Sequence, residues 1–197
     1  IWYVIRRENF SFCGQLLSKR EFTEKNLNKG ELRPEVAYLM CCYANIQPED
    51  VVLEPFAGYG SIPIQISKHF KYSKLFVSDI DSERIADLRQ KKHLKKENVF
   101  IEECSVFDLP TKRSEISCVI TDPPWGYFEE IADITKFYVD MFESFRQICR
   151  ENCKIVILTA RVENFIQAAE NSNVKLTNRI NTLINGKKAS LFKCELM

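Results

Sequence analysis

The sequence predicts an α/β protein built on a mostly parallel sheet with helices on both faces. Three observations carry this reading: short β-branched runs alternate with longer helical ones, each strand candidate is almost continuously apolar, and the chain closes on a hairpin pattern across Asn185-Gly186. Strands buried on both faces have no polar side to alternate with, so their apolar runs are unbroken.

In chain order, Ile1 to Ile5 and Phe10 to Leu17 read as extended segments that precede the core fold. Residues 1–28 are expected to be a remnant of, or link to, an upstream domain, because the chain begins at Ile1 rather than Met; residues 29–197 are expected to form the catalytic domain. The strand candidates are Val51 to Glu54, Leu75 to Ser78, Val99 to Glu102, Ile116 to Thr121 and Lys154 to Thr159. Helical stretches lie between them: Pro34 to Asn45, Ser61 to Phe70, Ser82 to Lys95, Lys136 to Arg150 and Val162 to Glu170. In the fourth helix Phe137, Met141, Phe142, Phe145, Ile148 and Cys149 share one face after Thr135, the expected cap. Val174 to Ile184 and Lys187 to Leu196 form the closing hairpin.

Composition narrows the class. A chain of 197 residues with 45% hydrophobic and 28% charged content is large enough for one substantial core. With neither an apolar run long enough to span a bilayer nor a secretory leader, the expectation is a soluble cytoplasmic protein. The eight cysteines, scattered among apolar neighbours, read as reduced core thiols, and neither Cys149-x-x-x-Cys153 nor the two histidines has zinc-site spacing, so no metal is expected. The net charge is +1, but residues 1–33 and the run Arg89 to Lys96 are locally basic. Either could track a phosphate backbone; the second reads better as the solvated, basic last turn of a helix.

Two loops carry the chemistry. After the first core strand, Glu54-Pro55-Phe56-Ala57-Gly58-Tyr59-Gly60-Ser61 lets backbone approach a polar ligand at a helix start, and Asp79, 19 residues beyond Gly60, is placed to accept hydrogen bonds from ribose hydroxyls. Together they indicate an adenosine-containing cofactor. A nicotinamide dinucleotide fits less well, because Pro63 stands where its fingerprint needs a third glycine. Asp81 reads as the cap of the following helix.

The fourth strand delivers Asp122-Pro123-Pro124-Trp125-Gly126 at its carboxyl end, where open α/β sheets bind ligands. An exocyclic amino group of a nucleobase is a poor nucleophile because its lone pair is delocalised. The Asp122 carboxylate and the Pro123 carbonyl can each accept one of its N–H bonds, while Pro123 and Pro124 fix the backbone and Trp125 offers a stacking surface. A base paired in a duplex cannot enter such a pocket, so the substrate is expected flipped or single-stranded. Asp-Pro-Pro is also ordinary turn chemistry; its place after a glycine loop and a ribose-binding acid favours the catalytic reading.

On Lys29-Gly30-Glu31-Leu32-Arg33-Pro34-Glu35-Val36-Ala37, Glu54 to Ser61 and Thr121 to Gly126, the chain resembles the class I methyltransferases with an Asp/Asn-Pro-Pro-aromatic motif, and within them the RNA methylases usually attached to a THUMP domain. The resemblance runs from about residue 29 to the end. It implies a Rossmann-like, seven-stranded sheet with an antiparallel last strand, S-adenosyl-L-methionine as methyl donor, and usually a guanine N2 of tRNA or rRNA as acceptor. It also implies that Leu32, Arg33 and Pro34 help close a cofactor site containing Glu54, Phe56, Ala57, Gly58, Gly60, Asp79, Ile80, Ser105, Val106 and Asp122. Ser105 stands where the family often has an acid for the cofactor's adenine, a role that Asp108 or nearby backbone would take over. Trp125 replaces the family's commoner Tyr or Phe and is closer to adenine-N6 enzymes.

The leading expectation is therefore an RNA amino-methyltransferase served by an upstream RNA-binding domain. The alternatives are a DNA or RNA adenine-N6 methyltransferase and, from another class, a catalytically inactive cofactor- or RNA-binding module.

Overall fold

The computed structural model describes residues 2–15, 27–109, 116–127 and 131–197. Expectations for Ile1 and for positions 16 and 17 fall outside them. Strands β1 (Trp2–Arg6) and β2 (Ser11–Gln15) pair antiparallel as a separate two-stranded ribbon. The core contains α1 (Pro34–Ala44), β3 (Val51–Glu54), α2 (Ser61–His69), β4 (Lys74–Asp79), α3 (Ser82–Gln90), β5 (Val99–Glu103) and β6 (Ile116–Thr121). It continues through α4 (Ile134–Ile148), β7 (Cys149–Thr159), α5 (Val162–Asn171), β8 (Val174–Ile184) and β9 (Lys187–Leu196).

Seven strands form one sheet in the order β5-β4-β3-β6-β7-β9-β8. β5, β4, β3, β6 and β7 pair in parallel, whereas β9 runs antiparallel to both β7 and β8. The last strand in sequence therefore sits inside the sheet. Alternation along each central strand divides its side chains between two cores. Val52, Cys118, Ile120, Val156 and Leu158 face α1, α2 and α3, while Leu53, Val119, Ile155 and Ile157 face α4 and α5.

Several boundaries differ from the sequence expectation for identifiable reasons. The cap of α4 is Asp133, whose carboxylate accepts the Lys136 N–H at 2.9 Å; Thr135 lies inside the helix and accepts from Asn164. α4 ends at Ile148, and Cys149 and Arg150 open β7, which pairs with β6 through an irregular register near Asn152 at φ 59°. α3 stops at Gln90 rather than continuing to Lys95, and a 3-10 turn, Lys92–Leu94, follows. There Leu94 is buried, Lys96 bonds the Ser67 carbonyl and Ser67 bonds the His93 carbonyl, so docking against α2 prevails over helix continuation. Cys41, Cys118, Cys153 and Cys194 are buried thiols, but Cys13 and Cys42 are exposed, against the expectation of uniformly internal cysteines.

At the amino ends of the central strands, Asp50 is buried with the Ser117 hydroxyl, the Gln47 N–H and the Lys154 ammonium as partners. Burial alone would raise its pKa, and these donors more than offset it, leaving it below the usual carboxylate range. The interaction joins the segment before β3 to β6 and β7.

On the other face, Phe165 has ring centroids of Phe192, Tyr138 and Phe142 at 4.8, 5.3 and 5.5 Å. This cluster fastens α4 and α5 to the antiparallel strand. Phe165→Ala is expected to destabilise the fold by about 3–5 kcal/mol, read as a lower midpoint in urea with an unchanged slope.

Candidate active site

The carboxyl ends of β3, β4 and β6 bring Glu54, Asp79 and Asp122 to one edge of the sheet. Beyond β3, the Ala57 N–H donates to the Ser78 carbonyl at 3.0 Å and the Gly58 N–H donates to Asp79 Oδ2 at 2.7 Å, clamping the glycine loop to the neighbouring strand. Gly60, at φ 89°, ends the loop and caps α2, a left-handed backbone that favours glycine. Ser61 Oγ donates to the Leu32 carbonyl at 2.7 Å, which holds the segment before α1 over the loop.

These parts enclose a cavity of about 500 Å³, within the usual range for small-molecule sites. Leu32, Phe56, Ala57, Gly58, Asp79, Ile80, Ser105, Val106, Asp122, Pro124 and Trp125 line it. Arg33, Pro34, Glu54, Gly60 and Pro123 are not among these lining residues. Pro34 begins α1, Gly60 shapes the loop, Arg33 borders a separate groove with the β8–β9 turn, and Pro123 lines a second chamber. Glu54 is wholly buried, accepting the Phe56 N–H at 3.0 Å and the Thr121 hydroxyl at 2.8 Å through Oε1. Ser105 Oγ accepts the Phe107 N–H at 3.2 Å, so its hydroxyl caps a 3-10 turn. Asp108 is not a lining residue.

The cavity also contains residues without a motif to announce them. Arg84 stands 3.8 Å over the Tyr59 ring, and Phe107 and Phe137 meet edge to face at 5.6 Å. Phe137 reads from sequence as part of the core stripe of α4; only the packing of α4 against the loops puts it in the cavity wall. Ile80 is 73% exposed and Phe107 48%, which gives the opening an apolar rim suited to a flat ring.

The second chamber, about 160 Å³, adjoins the first and is lined by Pro123, Tyr127, Ile184, Asn185 and Lys187 besides the shared residues Gly30, Glu31, Leu32, Asp122, Pro124 and Trp125. Asp122 therefore stands where the two spaces meet. Its Oδ1 is buried without a hydrogen-bond partner, as is Trp125 Nε1. Burial pushes the Asp122 carboxyl up to about 7; the adjacent Trp125 indole acts in the opposite direction without completing a well-aligned hydrogen bond. Burial likewise holds Glu54 well above the carboxylate range, against the donors from Thr121 and Phe56.

Residues 20–189 match the sequence profile of the RMKL-like, methyltransferase domain family. The chain belongs to that family. A bovine (Bos taurus) relative, U6 snRNA (guanine-N(2))-methyltransferase THUMPD2, is 31% identical over 137 residues, which cover 64% of this chain and 25% of that protein. The matched region thus spans a quarter of that relative's length. Among solved structures, TrmN from Thermus thermophilus superposes with a TM-score of 0.77 at 21% identity, over 95% of this chain and 57% of that one. Geranyl diphosphate C-methyltransferase from Streptomyces coelicolor A3(2), solved with Mg2+, geranyl diphosphate and S-adenosyl-L-homocysteine, gives 0.65 at 10% identity over 83% and 79%. Both likenesses concern the fold.

The methyl donor of this domain is S-adenosyl-L-methionine, and the larger cavity suits it. The Asp79 carboxylate, though it already holds the Gly58 and Asp81 N–H groups, has lone pairs for ribose hydroxyls, and a Cβ built on Gly58 would meet nothing within 4 Å. Among the described residues, no helix is long and apolar enough to cross a membrane.

Asp79→Ala removes the loop clamp and the carboxylate whose free lone pairs face the larger cavity. It is expected to weaken S-adenosylhomocysteine binding at least ~10-fold in calorimetry. For Asp122, the folded carboxyl binds its proton up to about 7 and the unfolded one only to the ordinary value of 3.8. Stability is therefore expected to fall as pH rises through that window, and Asp122→Asn should flatten the decline in thermal melts.

Proposed function

We propose that this domain methylates an exocyclic amino nitrogen of a nucleobase in RNA, with guanine N2 as the favoured target. The observation that carries the reading is Asp122, a buried carboxyl with an unpartnered oxygen at the junction of a cofactor-sized cavity and a smaller chamber. A buried acceptor lacking its donor costs roughly 1–3 kcal/mol, which an amino N–H from substrate would recover. Together with the relative whose name specifies guanine-N(2) methylation of U6 snRNA, this favours an amino group of RNA.

In this mechanism the target base enters the smaller chamber and packs against Trp125. Asp122 and the Pro123 carbonyl accept the two amino N–H bonds, localising the nitrogen lone pair. When bound, S-adenosylmethionine supplies an electrophilic methyl on a sulfonium sulfur. On taking up that methyl the amino nitrogen would become cationic and would have one proton to lose, with the Asp122 carboxylate beside it as the acceptor. A carboxyl with a pKa of about 7 is matched to accepting that proton near neutral pH. Pro123 and Pro124 hold the acceptors in place before substrate arrives, which is how preorganised polar groups lower a barrier.

A net charge of +1 provides little attraction for a polyanion. An RNA-binding domain upstream of residue 29 in the intact protein would supply most of the affinity.

The test is methyl transfer from labelled S-adenosylmethionine to a U6 snRNA transcript, with the modified nucleoside identified by mass spectrometry. N2-methylguanosine is expected; N6-methyladenosine would reassign the base, and transfer to neither RNA nor DNA would defeat the proposal. Asp122→Ala should cut turnover at least ~10²-fold while leaving S-adenosylhomocysteine affinity nearly unchanged. In the unaltered enzyme kcat/KM should rise with pH through about 7 and then level off, as the Asp122 carboxyl ionises.

A further inference from the structure

The wall of the larger cavity contains a contact that the methyl-transfer chemistry does not use. Tyr59 stands in the glycine loop between Gly58 and Gly60, at φ 50° and 89°, and the Arg84 guanidinium lies 3.8 Å from the centroid of its ring. Arg84 belongs to the first turn of α3, where Asp81 Oδ1 accepts its backbone N–H at 3.2 Å and Asp81 Oδ2 lies 3.7 Å from its Nε. One turn on, Leu88 shares that helix face and supports the loop: a Cβ added to Gly60 would meet Leu88 Cδ2 at 2.5 Å. Leu88 is fully buried, whereas the Arg84 side chain is 32% exposed. The loop thus rests on α3 in the interior, and the Tyr59–Arg84 bridge lies at the cavity rim.

Asp79 defines what the bridge spans. Its Oδ2 accepts the N–H of Gly58, which precedes Tyr59, and its Oδ1 accepts the N–H of Asp81, the cap of the helix that carries Arg84. The two segments that hold this carboxylate are therefore the two that the bridge ties together. A ligand seated against Asp79 lies between them. The bridge can part without disturbing the backbone, since a guanidinium leaves a ring face by rotation about its own side-chain bonds. Such rotations in exposed side chains are far faster than an enzymatic turnover.

We propose that the Tyr59–Arg84 bridge is a gate on the larger cavity, past which S-adenosylmethionine enters and S-adenosylhomocysteine leaves. This rests on placing the cofactor against Asp79 and adds to it the route and rate of exchange. The bridge closes with the cofactor bound as well as without it, so the fraction of time it stands open multiplies the association and dissociation rate constants alike. Their ratio, the affinity, is left to Asp79 and the loop backbone. A cation–π contact near the surface lowers the open fraction about two- to fivefold.

The experiment is stopped-flow binding and release of S-adenosylhomocysteine, followed by the fluorescence of Trp125 in the cavity wall. It compares the unaltered protein with Arg84→Ala, Tyr59→Leu, Tyr59→Phe and the double variant Arg84→Ala/Tyr59→Leu, each checked for folding by thermal melts. Arg84→Ala and Tyr59→Leu are each expected to raise both rate constants together, about two- to fivefold, with Kd unchanged within about twofold. Tyr59→Phe retains the ring and should restore both rate constants to the unaltered values. Since either substitution removes the same contact, the double variant should exchange no faster than either single one. A Kd weakened in proportion to the dissociation rate would make Arg84 a direct cofactor contact and overturn the gate. Unchanged rates in the single variants, or additive effects in the double one, would overturn it as well. Asp79→Ala binding as tightly as the unaltered protein would instead overturn the cofactor placement on which the gate rests.

Discussion

The carboxyl of Glu54 sits between the two loops that make the site, and their relative position depends on it. It lies at the end of β3, flanked in the sheet by β4 and β6, and a single oxygen accepts from the cofactor loop through Phe56 and from the strand preceding the catalytic loop through Thr121. A wholly buried carboxyl is costly, and the proximity of Asp79 and Asp122 raises its pKa further. The protein retains this unfavourable group between the two loops of the proposed site, an exchange of stability for geometry common at functional sites. Asp50 plays the stabilising counterpart at the opposite end of the same strands, where ammonium, hydroxyl and amide donors satisfy its charge.

Much of the fold was legible because its signals are local. Val51, Val52 and Leu53 are apolar in succession, so the run to Glu54 reads as a strand covered on both sides, and all four residues are buried. Asn185-Gly186 demands two positive φ angles and receives them, so both hairpin strands fall on their expected bounds. The misplaced boundaries arise where distant contacts outweigh local preference. Arg89 to Lys96 has good helix formers at every position but His93, yet the turn that docks on α2 ends α3 after Gln90. The extension of β7 back to Cys149 depends on pairing with β6, which no local pattern encodes.

The site divides in the same way. Glycines, prolines and a strand-terminal acid are readable because each stands out locally, and Gly58, Pro124 and Asp79 line the larger cavity while Gly60, Pro34 and Pro123 shape its surroundings. Glu54 is the instructive exception: its place in the loop motif reads as ligand contact, but its side chain turns inward to brace the loop. Phe107, Phe137 and Arg84 have ordinary sequence neighbourhoods, and their place in the cavity wall emerges only when strands and helices remote in sequence converge. The smaller chamber is thus less legible than the larger one, since turns remote in sequence, at Leu32, Pro123 and Asn185, build it.

The interior position of β9 bears on how such a domain assembles. Among the described residues β8 has no neighbour in the sheet but β9, and β9 lies between β8 and β7. The β8–β9 pairing closes across a two-residue turn, whereas the β7–β9 pairing spans α5 and β8, so the hairpin contact is the more local and the less costly in loop closure. During synthesis the cofactor half of the domain can organise while the hairpin is still emerging from the ribosome, leaving the β7 edge and the adjacent Phe165 cluster open in the interval. An unpaired β7 edge of this kind is a natural holding point for a chaperone, and a chain interrupted before β9 would expose it permanently.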